Sequence, residues 1–394
     1  MSVPEWLTSK ILPEAVKTGS LGSNGMKFVS FEVSDEKGID HVLSDVIFGD
    51  IVLESAESRR FNVPVVVKTR RHSMDQYMDG SSLFHNELLF YTEILPLLRK
   101  YDRDQLLTTS FCEFVYGQAT NDPKSTEDVI ILKHLGQKDF RLSEDRLYLD
   151  RKHVELVLDR IGKFHALSLL CQADNPRAFE DIASKVKNIV YTDGCDKQFW
   201  ATAFLRGVEA LEVEPEYQDR LTDLIGHCKG GRDQMEKYSS DRSGPLTVIA
   251  HGDFTRNNMM FKYGPDGAPI EVAFFDFGTI KYCSPAIDTS SFLFCNVSTE
   301  MRRDHWDHFI RTYYDAVLQM MAKRPHAPSF ETVNQDLRRS GISGYHQCSL
   351  YVPMMVHKIK GIPQPYEANS TVHVEALKHM QEVIKHMLDR DYIF

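Results

Sequence analysis

In the segment IAHGDFTRNNMMF, Asp253 and Asn258 lie five residues apart on a polar stretch between two apolar runs. A carboxylate there can orient or deprotonate a hydroxyl, and a carboxamide at that spacing can hold a divalent ion in the same site. Twenty-three residues after Asp253 a second apolar run, FFDFG, ends in Asp276. Two adjacent strand ends would bring Asn258 and Asp276 together as oxygen ligands for Mg2+. Either motif alone also reads as a polar turn between strands. Their order, with strand-like sequence between them, favours one shared site.

A second pair lies upstream. Lys68 closes the β-branched run NVPVVVKT, and nineteen residues later Glu87 sits among Phe84, Leu88, Tyr91 and Leu95, an apolar stripe at helical spacing. A glutamate on that face bears the cost of lost hydration unless it is paired, and Lys68 is its natural partner. In a phosphotransferase such a pair holds the lysine against nucleotide phosphates; in any other protein it is a structural ion pair. The stretch GSLGSNG, residues 19–25, includes Gly22, Ser23 and Asn24. It is expected to bend over phosphates and offer backbone N–H groups, although a loop of this kind is also an ordinary turn.

These residues need elements to position them. Up to about residue 130 the chain reads as strands (26–34, 43–54, 62–69 and the pair TSFCEFVY/DVIILKHL) with one helix over 81–95 that Pro96 ends or kinks. From 146 onward the period is helical, most clearly over 148–170, then over 197–229, 303–322, 345–359 and 372–389. Short strands at 246–250, MMFK and IEVAFF interrupt the helices. The segments FIRTYYDAVLQMM and YHQCSLYVPMMVHK are core stripes or one wall of an apolar cavity.

Taken in order, VVVKTR, FHNELLFYTEILPLL, FHALS, HGDFTRNNMMF, FFDFG and SPAIDTSSFLF resemble the ecdysteroid-kinase-like family, within the choline kinase and aminoglycoside phosphotransferase group and related to protein kinases. The resemblance spans about residues 15–360 and implies an α+β, bilobal, protein-kinase-like fold. Its N-lobe, 1–134, is an antiparallel sheet with one key helix; its helix-rich C-lobe, 135–394, carries the catalytic loop and metal-binding strands at 246–278. The resemblance implies that Asp253 is the catalytic aspartate, that Asn258 and Asp276 bind Mg2+, and that Lys68 with Glu87 positions ATP. His251 would brace the catalytic loop, with His165 and Asp288 as supports. His165 is equally a satisfied core histidine, and Asp288 a cap for the following helix. Backbone groups at Lys133 to Leu135 would read adenine.

Two residues depart from the family pattern. Lys133 stands where an acidic residue is usual, which puts a local salt bridge in question, and Gly278 stands where glutamine is common. The implied activity is ATP- and Mg2+-dependent transfer of phosphate to a hydroxyl of an ecdysteroid-like or other lipophilic alcohol. Choline, ethanolamine or aminoglycoside kinases are the alternatives, as is a non-catalytic nucleotide-binding scaffold. A protein kinase is disfavoured, because HGD replaces HRD and no APE-like segment follows FFDFG.

Composition bounds the rest. With 46 basic and 56 acidic residues the net charge is −10, which argues against a general nucleic-acid or anionic-membrane binder. The 394 residues, 42% apolar and 26% charged, suit a globular chain with a large core. The seven scattered cysteines form no CxxC pair and point to a reduced chain. The charged start and the lack of an 18-residue apolar run predict a cytoplasmic protein.

Overall fold

A computed structural model describes residues 5–22, 25–35, 44–122, 124–189, 191, 197–209, 211, 213–321, 324–357 and 372–394. Runs rich in β-branched and aromatic residues form β1 (Lys27–Val33), β2 (Ser44–Glu54), β3 (Arg60–Arg70), β4 (Phe114–Gln118) and β5 (Val129–Lys133). They make one antiparallel sheet in the order β1-β2-β3-β5-β4. Strand alternation sorts its two faces. Val65 and Val67 of β3, with Val129 and Ile131 of β5, pack on Leu7, Ile11 and Leu12 at the start of the chain, where α1 spans Leu12–Lys17. Lys68 is one residue out of phase with Val67 and lies opposite Ile130, on the face that joins the main core with Phe84 and Phe90.

Helix α2, Gly80–Leu89, covers that second face, its N-terminus capped by Asp79, whose carboxylate accepts from the Ser81 and Ser82 amides. The chain then widens into a π-helical turn at Phe90–Ile94 before α3, Leu95–Leu98. Pro96 therefore does not end the helical run; it sits at the start of α3, where its missing N–H is tolerated and the π turn takes up the register.

The strand register corrects one expectation. Val46 lies opposite Lys68 and Glu54 opposite Arg60, while Lys27, just past the glycine turn, lies opposite Glu54. Gly22 thus precedes the Arg60 end of the sheet, and Arg60 is eight residues, roughly 26 Å of extended strand, from Lys68. The turn at Gly22 is not over Lys68. Gly22 has a positive φ of 71° in open space, an ordinary turn geometry; Ser23 and Asn24 lie outside the described residues. On the Lys68 side β1 ends at Val33, where Ser34 N–H donates to Phe48 O at 2.9 Å.

The remainder is mainly helical. α4 (Arg151–Asp174) is followed by α5 (Pro176–Ala183), α6 (Lys197–Leu205), α7 (Gln218–Lys229) and α8 (Gly231–Ser240). After the strand region come α9 (Ala286–Asn296), α10 (Thr299–Met321), α11 (Phe330–Ser340), α12 (Ile342–His357) and α13 (Val374–Asp389). The stretch 197–229, expected as one apolar-periodic run, is two helices separated around Pro215. Between α8 and α9 two small antiparallel pairs form: β6 (Val248–Ala250) with β9 (Lys281–Cys283), and β7 (Met259–Tyr263) with β8 (Pro269–Phe274). β9 has no apolar signature in sequence and forms because the chain returns alongside β6.

Six cysteines, Cys112, Cys171, Cys228, Cys283, Cys295 and Cys348, are buried and free, whereas Cys195 lies outside the described residues. No described helix is long and apolar enough to cross a membrane.

Candidate active site

β6 and β7 deliver the two ends of the 251–258 loop, and β8 and β9 flank Asp276. Gly252 takes a φ of +84°, and a Cβ there would come within 2.0 Å of Thr279 O, so glycine alone fits. Asn258 Nδ2 donates to both the backbone carbonyl and Oδ2 of Asp253, at 2.8 and 3.0 Å. The other carboxylate oxygen, Oδ1, accepts from Gln347 Nε2 of α12 at 2.8 Å.

A fully buried carboxylate fixes the loop from below. Asp288, near the start of α9, accepts from the amides of His251 at 2.7 Å and Gly252 at 2.9 Å. His165 Nε2 of α4 lies 3.1 Å from the same carboxylate, and its Nδ1 lies 3.0 Å from Tyr313 OH. Asp288 lies inside the first turn of α9, whose N-cap is Pro285, so it is not the cap of that helix; His165 is a satisfied core histidine whose two partners link α4 and α10 to the loop. His251 Nε2 meets Phe275 O at 2.9 Å, tying the loop to the strand that leads into Asp276.

Lys68 faces this assembly from the sheet. Its Nζ is 2.5 Å from Glu87 Oε2 and 2.8 Å from Asp276 Oδ1. Asp276 adopts a left-handed backbone (φ 67°, ψ 62°), which aspartate tolerates at a cost of about 1 kcal/mol or more and which recurs where function fixes a side chain. The following Phe277 stacks on Phe90 with centroids 3.6 Å apart and planes 5° from parallel, and Asn86 Nδ2 donates to Gly278 O at 3.2 Å. Helix α2, through Asn86, and the π turn that follows it, through Phe90, thus hold the FFDFG turn, while α2 also supplies Glu87. A side chain at Gly278 would start 3.2 Å from Leu83 O, a tight fit that suits the small residue found there.

Burial and charge act in opposition at each ionisable group. Burial opposes the charge on Lys68, but Asp276 and Glu87 outweigh it and hold the ammonium above its ordinary range. Burial pushes the Glu87 carboxyl upward, against the attraction of Lys68. Asp253 is also raised by burial, with His251 opposing and the Asp276 charge reinforcing the rise. For Asp288 burial acts upward, yet the hydrogen bond and charge of His165, with help from His251 and the Gly252 amide, keep it below the usual carboxylate range.

The donor set fits a hard divalent cation. Asn258 uses its amide nitrogen toward Asp253, so a cation would meet its carbonyl oxygen, and the Asp276 side chain is 44% exposed. Among the described residues no cluster of three or more His, Cys, Asp or Glu forms a metal cage. Mg2+ binds with one or two protein oxygens, completed by phosphate and water.

At the junction with the C-lobe, Lys133 Nζ pairs with Glu113 at 2.7 Å, and Lys138 also meets that carboxylate. A local salt bridge is therefore present with Lys133 as its cation, and hydrogen bonds from both lysines hold the Glu113 carboxyl below its ordinary range. Lys133 N–H donates to Glu113 O and His134 N–H to Pro64 O, so these two amides are committed within the protein. The adenine contact expected at Lys133 to Leu135 would be limited to the remaining backbone groups.

The expected residues thus fall into linked sets: Lys68–Glu87–Asp276, Asp253–Asn258, and His165–Asp288–His251. Gly22 belongs to none of them. Sequence reasoning missed Gln347, Tyr313 and Thr279, whose Oγ1 donates to His251 O at 3.1 Å. For Gln347 a signal existed: it stands four and eight residues before Tyr351 and Met355, as an amide on an otherwise apolar helical face.

Among curated proteins none matches the chain in sequence. Solved structures with a similar course include an ethanolamine kinase from Plasmodium vivax, at 11% identity over 92% of this chain and 82% of that one, with a TM-score of 0.41. A microcompartment-associated aminopropanol kinase shows 10% identity over 96% and 99%, with a TM-score of 0.46. An aminoglycoside phosphotransferase from Alicyclobacillus acidocaldarius shows 12% identity over 90% and 91%, with a TM-score of 0.38. The model of the ecdysteroid kinase-like family matches residues 39–324, most of the chain. The chain belongs to the ecdysteroid kinase-like family.

Proposed function

We propose that this protein transfers the γ-phosphoryl group of Mg-ATP to a hydroxyl of a small lipophilic alcohol of the ecdysteroid type. The observation that carries the proposal is the meeting of Lys68 with both Glu87 and Asp276, 2.5 and 2.8 Å away, beside a loop that holds Asp253 through Asn258 and is tied to Phe275, the residue before Asp276. Family membership supports the small-molecule acceptor.

In this reading Lys68, kept protonated by its two carboxylates, binds the α and β phosphates and loses its contact with Asp276 when nucleotide enters. Asp276 and Asn258 Oδ1 would hold Mg2+, which neutralises charge developing on the phosphate oxygens when bound. Asp253 accepts a hydrogen bond from the acceptor hydroxyl and takes its proton late, because a loose transition state needs little nucleophile activation. Asp288, His165 and His251 keep the loop amides fixed, so that Asp253 is not displaced as charge moves.

The test is transfer from γ-labelled ATP, with Mg2+, into a mixed panel of 20-hydroxyecdysone and other sterols, choline, ethanolamine and an aminoglycoside. Labelled product from a lipophilic alcohol supports the proposal. Product from choline, ethanolamine or the aminoglycoside instead would contradict the acceptor class, and absence of any transfer would contradict the activity.

A further inference from the structure

We propose that Gln347 is a positioning residue for this phosphoryl transfer: from α12 its amide nitrogen fixes Oδ1 of Asp253, so that the carboxylate, held by Asn258 at Oδ2, presents one defined plane to the acceptor hydroxyl. The inference rests on the phosphotransfer reading above and extends it to a residue outside the sequence motifs.

A carboxylate gripped at one oxygen still swings about its side-chain torsions; gripped at both, it does not. Here the grips are 2.8 Å from Gln347 Nε2 to Oδ1 and 3.0 Å from Asn258 Nδ2 to Oδ2. Each carboxylate oxygen has lone pairs for two partners, so Oδ1 can accept from a substrate hydroxyl while bonded to Gln347. The donor is itself rigidly mounted. Tyr345, His346 and Cys348, its neighbours on α12, are all buried, which prevents rotation of the helix. One and two turns on, the same face continues onto the loop: Tyr351 OH donates to Asn257 Oδ1 at 3.3 Å, and Asn257 Nδ2 approaches Met355 Sδ at 3.7 Å. Gln347, Tyr351 and Met355 thus form a stripe along the 253–257 segment, with the amide at the end beside the reacting carboxylate. An acceptor that packs on the aromatic and thioether part of that stripe meets Asp253 in the orientation Gln347 sets.

Two variants separate positioning from packing. Gln347→Met keeps the length of the side chain but has no donor; Gln347→Glu keeps length and branching and puts a like charge against Oδ1. In the γ-labelled Mg-ATP assay with the alcohol panel, Gln347→Met is expected to lower kcat by about tenfold to a hundredfold, the effect of a misplaced reacting group. Its KM for ATP should stay within about twofold of the natural chain. Gln347→Glu should be slower still, whereas a purely packing role ranks it nearest to the natural glutamine. In the Asp253→Asn background Gln347→Met should add little further loss, since the carboxylate that Gln347 positions is no longer there to take the proton. Thermal unfolding is followed throughout, and if Gln347→Met fails to fold, Gln347→Glu carries the comparison. Natural kcat in both variants while Asp253→Asn is inactive, or an undiminished further loss in the Asp253→Asn background, would overturn the inference and leave phosphotransfer standing. An Asp253→Asn protein as active as the natural chain would overturn phosphotransfer itself and the inference with it.

Discussion

Lys68 and Asp276, 208 residues apart in the chain, meet at 2.8 Å, and this ion pair joins the N-terminal sheet to the turn after β8. With Glu87 on its other side, the Lys68 ammonium is a buried cation between two carboxylates from different parts of the fold. Its removal has consequences for stability as well as for nucleotide binding.

Lys68→Met strands Glu87, a residue only 3% exposed, without its counter-charge. Loss of one member of a buried pair destabilises by about 3 kcal/mol or more, and ATP affinity should fall in parallel. The double variant Lys68→Met/Glu87→Leu is expected to regain most of that stability and none of the ATP binding. Urea unfolding and titration calorimetry with Mg-ATP check both halves, and restored nucleotide binding in the double variant would contradict the role given to Lys68.

Gly252 and Gly22 both have positive φ, yet their surroundings differ. A methyl group at Gly252 would run into Thr279 O, while Gly22 has open space around it. Gly252→Ala should therefore cost well over ~2 kcal/mol and abolish turnover, whereas Gly22→Ala should cost about 1 kcal/mol from backbone strain alone and leave the KM for ATP unchanged. Thermal unfolding and ATP kinetics on the two variants make the comparison. A large rise in KM for ATP in Gly22→Ala would show that the 19–25 turn reaches the phosphates after all.

Asp336 on α11 is 1% exposed and accepts from Ser284 Oγ at 2.6 Å; burial raises its carboxyl to about 7, with the Ser284 hydrogen bond acting against the rise. Between about pH 4 and pH 7 the folded protein keeps this proton while the unfolded chain releases it. Stability from this group is therefore full below the unfolded value and declines as pH rises toward 7, by on the order of 4 kcal/mol in all. Asp336→Asn, which still offers an acceptor to Ser284, should gain on the natural chain from pH 5 to about pH 7 and level off by pH 8. Melting temperatures measured across that range would contradict the assignment if the two proteins stay in parallel.

Much of the site is legible in the sequence because its signals are local. The 251–258 loop lies between short apolar strands, FFDFG ends another, and Glu87 stands conspicuously on an apolar helical stripe. Each is fixed by a few neighbouring residues. Gly22 misleads because glycine reports only that the chain turns; which end of the sheet the turn occupies depends on the pairing of Lys27 with Glu54 and of Val46 with Lys68, which is nonlocal. β9 is hidden for a similar reason, as KYC gains its strand geometry from β6. Gln347 reaches Asp253 across 94 residues, and an amide among Tyr345, Cys348 and Tyr351 gives no sign of its partner without the packing of α12 on the loop.

The decisive comparison is γ-phosphate transfer from Mg-ATP to the lipophilic alcohols by the natural chain, Asp253→Asn and Asp276→Ala under identical conditions. Asp253→Asn should lose turnover by roughly a hundredfold or more while ATP affinity is nearly preserved, and Asp276→Ala should lose both turnover and Mg2+-dependent nucleotide binding. Equal turnover and equal Mg2+ dependence in all three proteins would contradict the assignment of Asp253 and Asp276 to a phosphotransfer site.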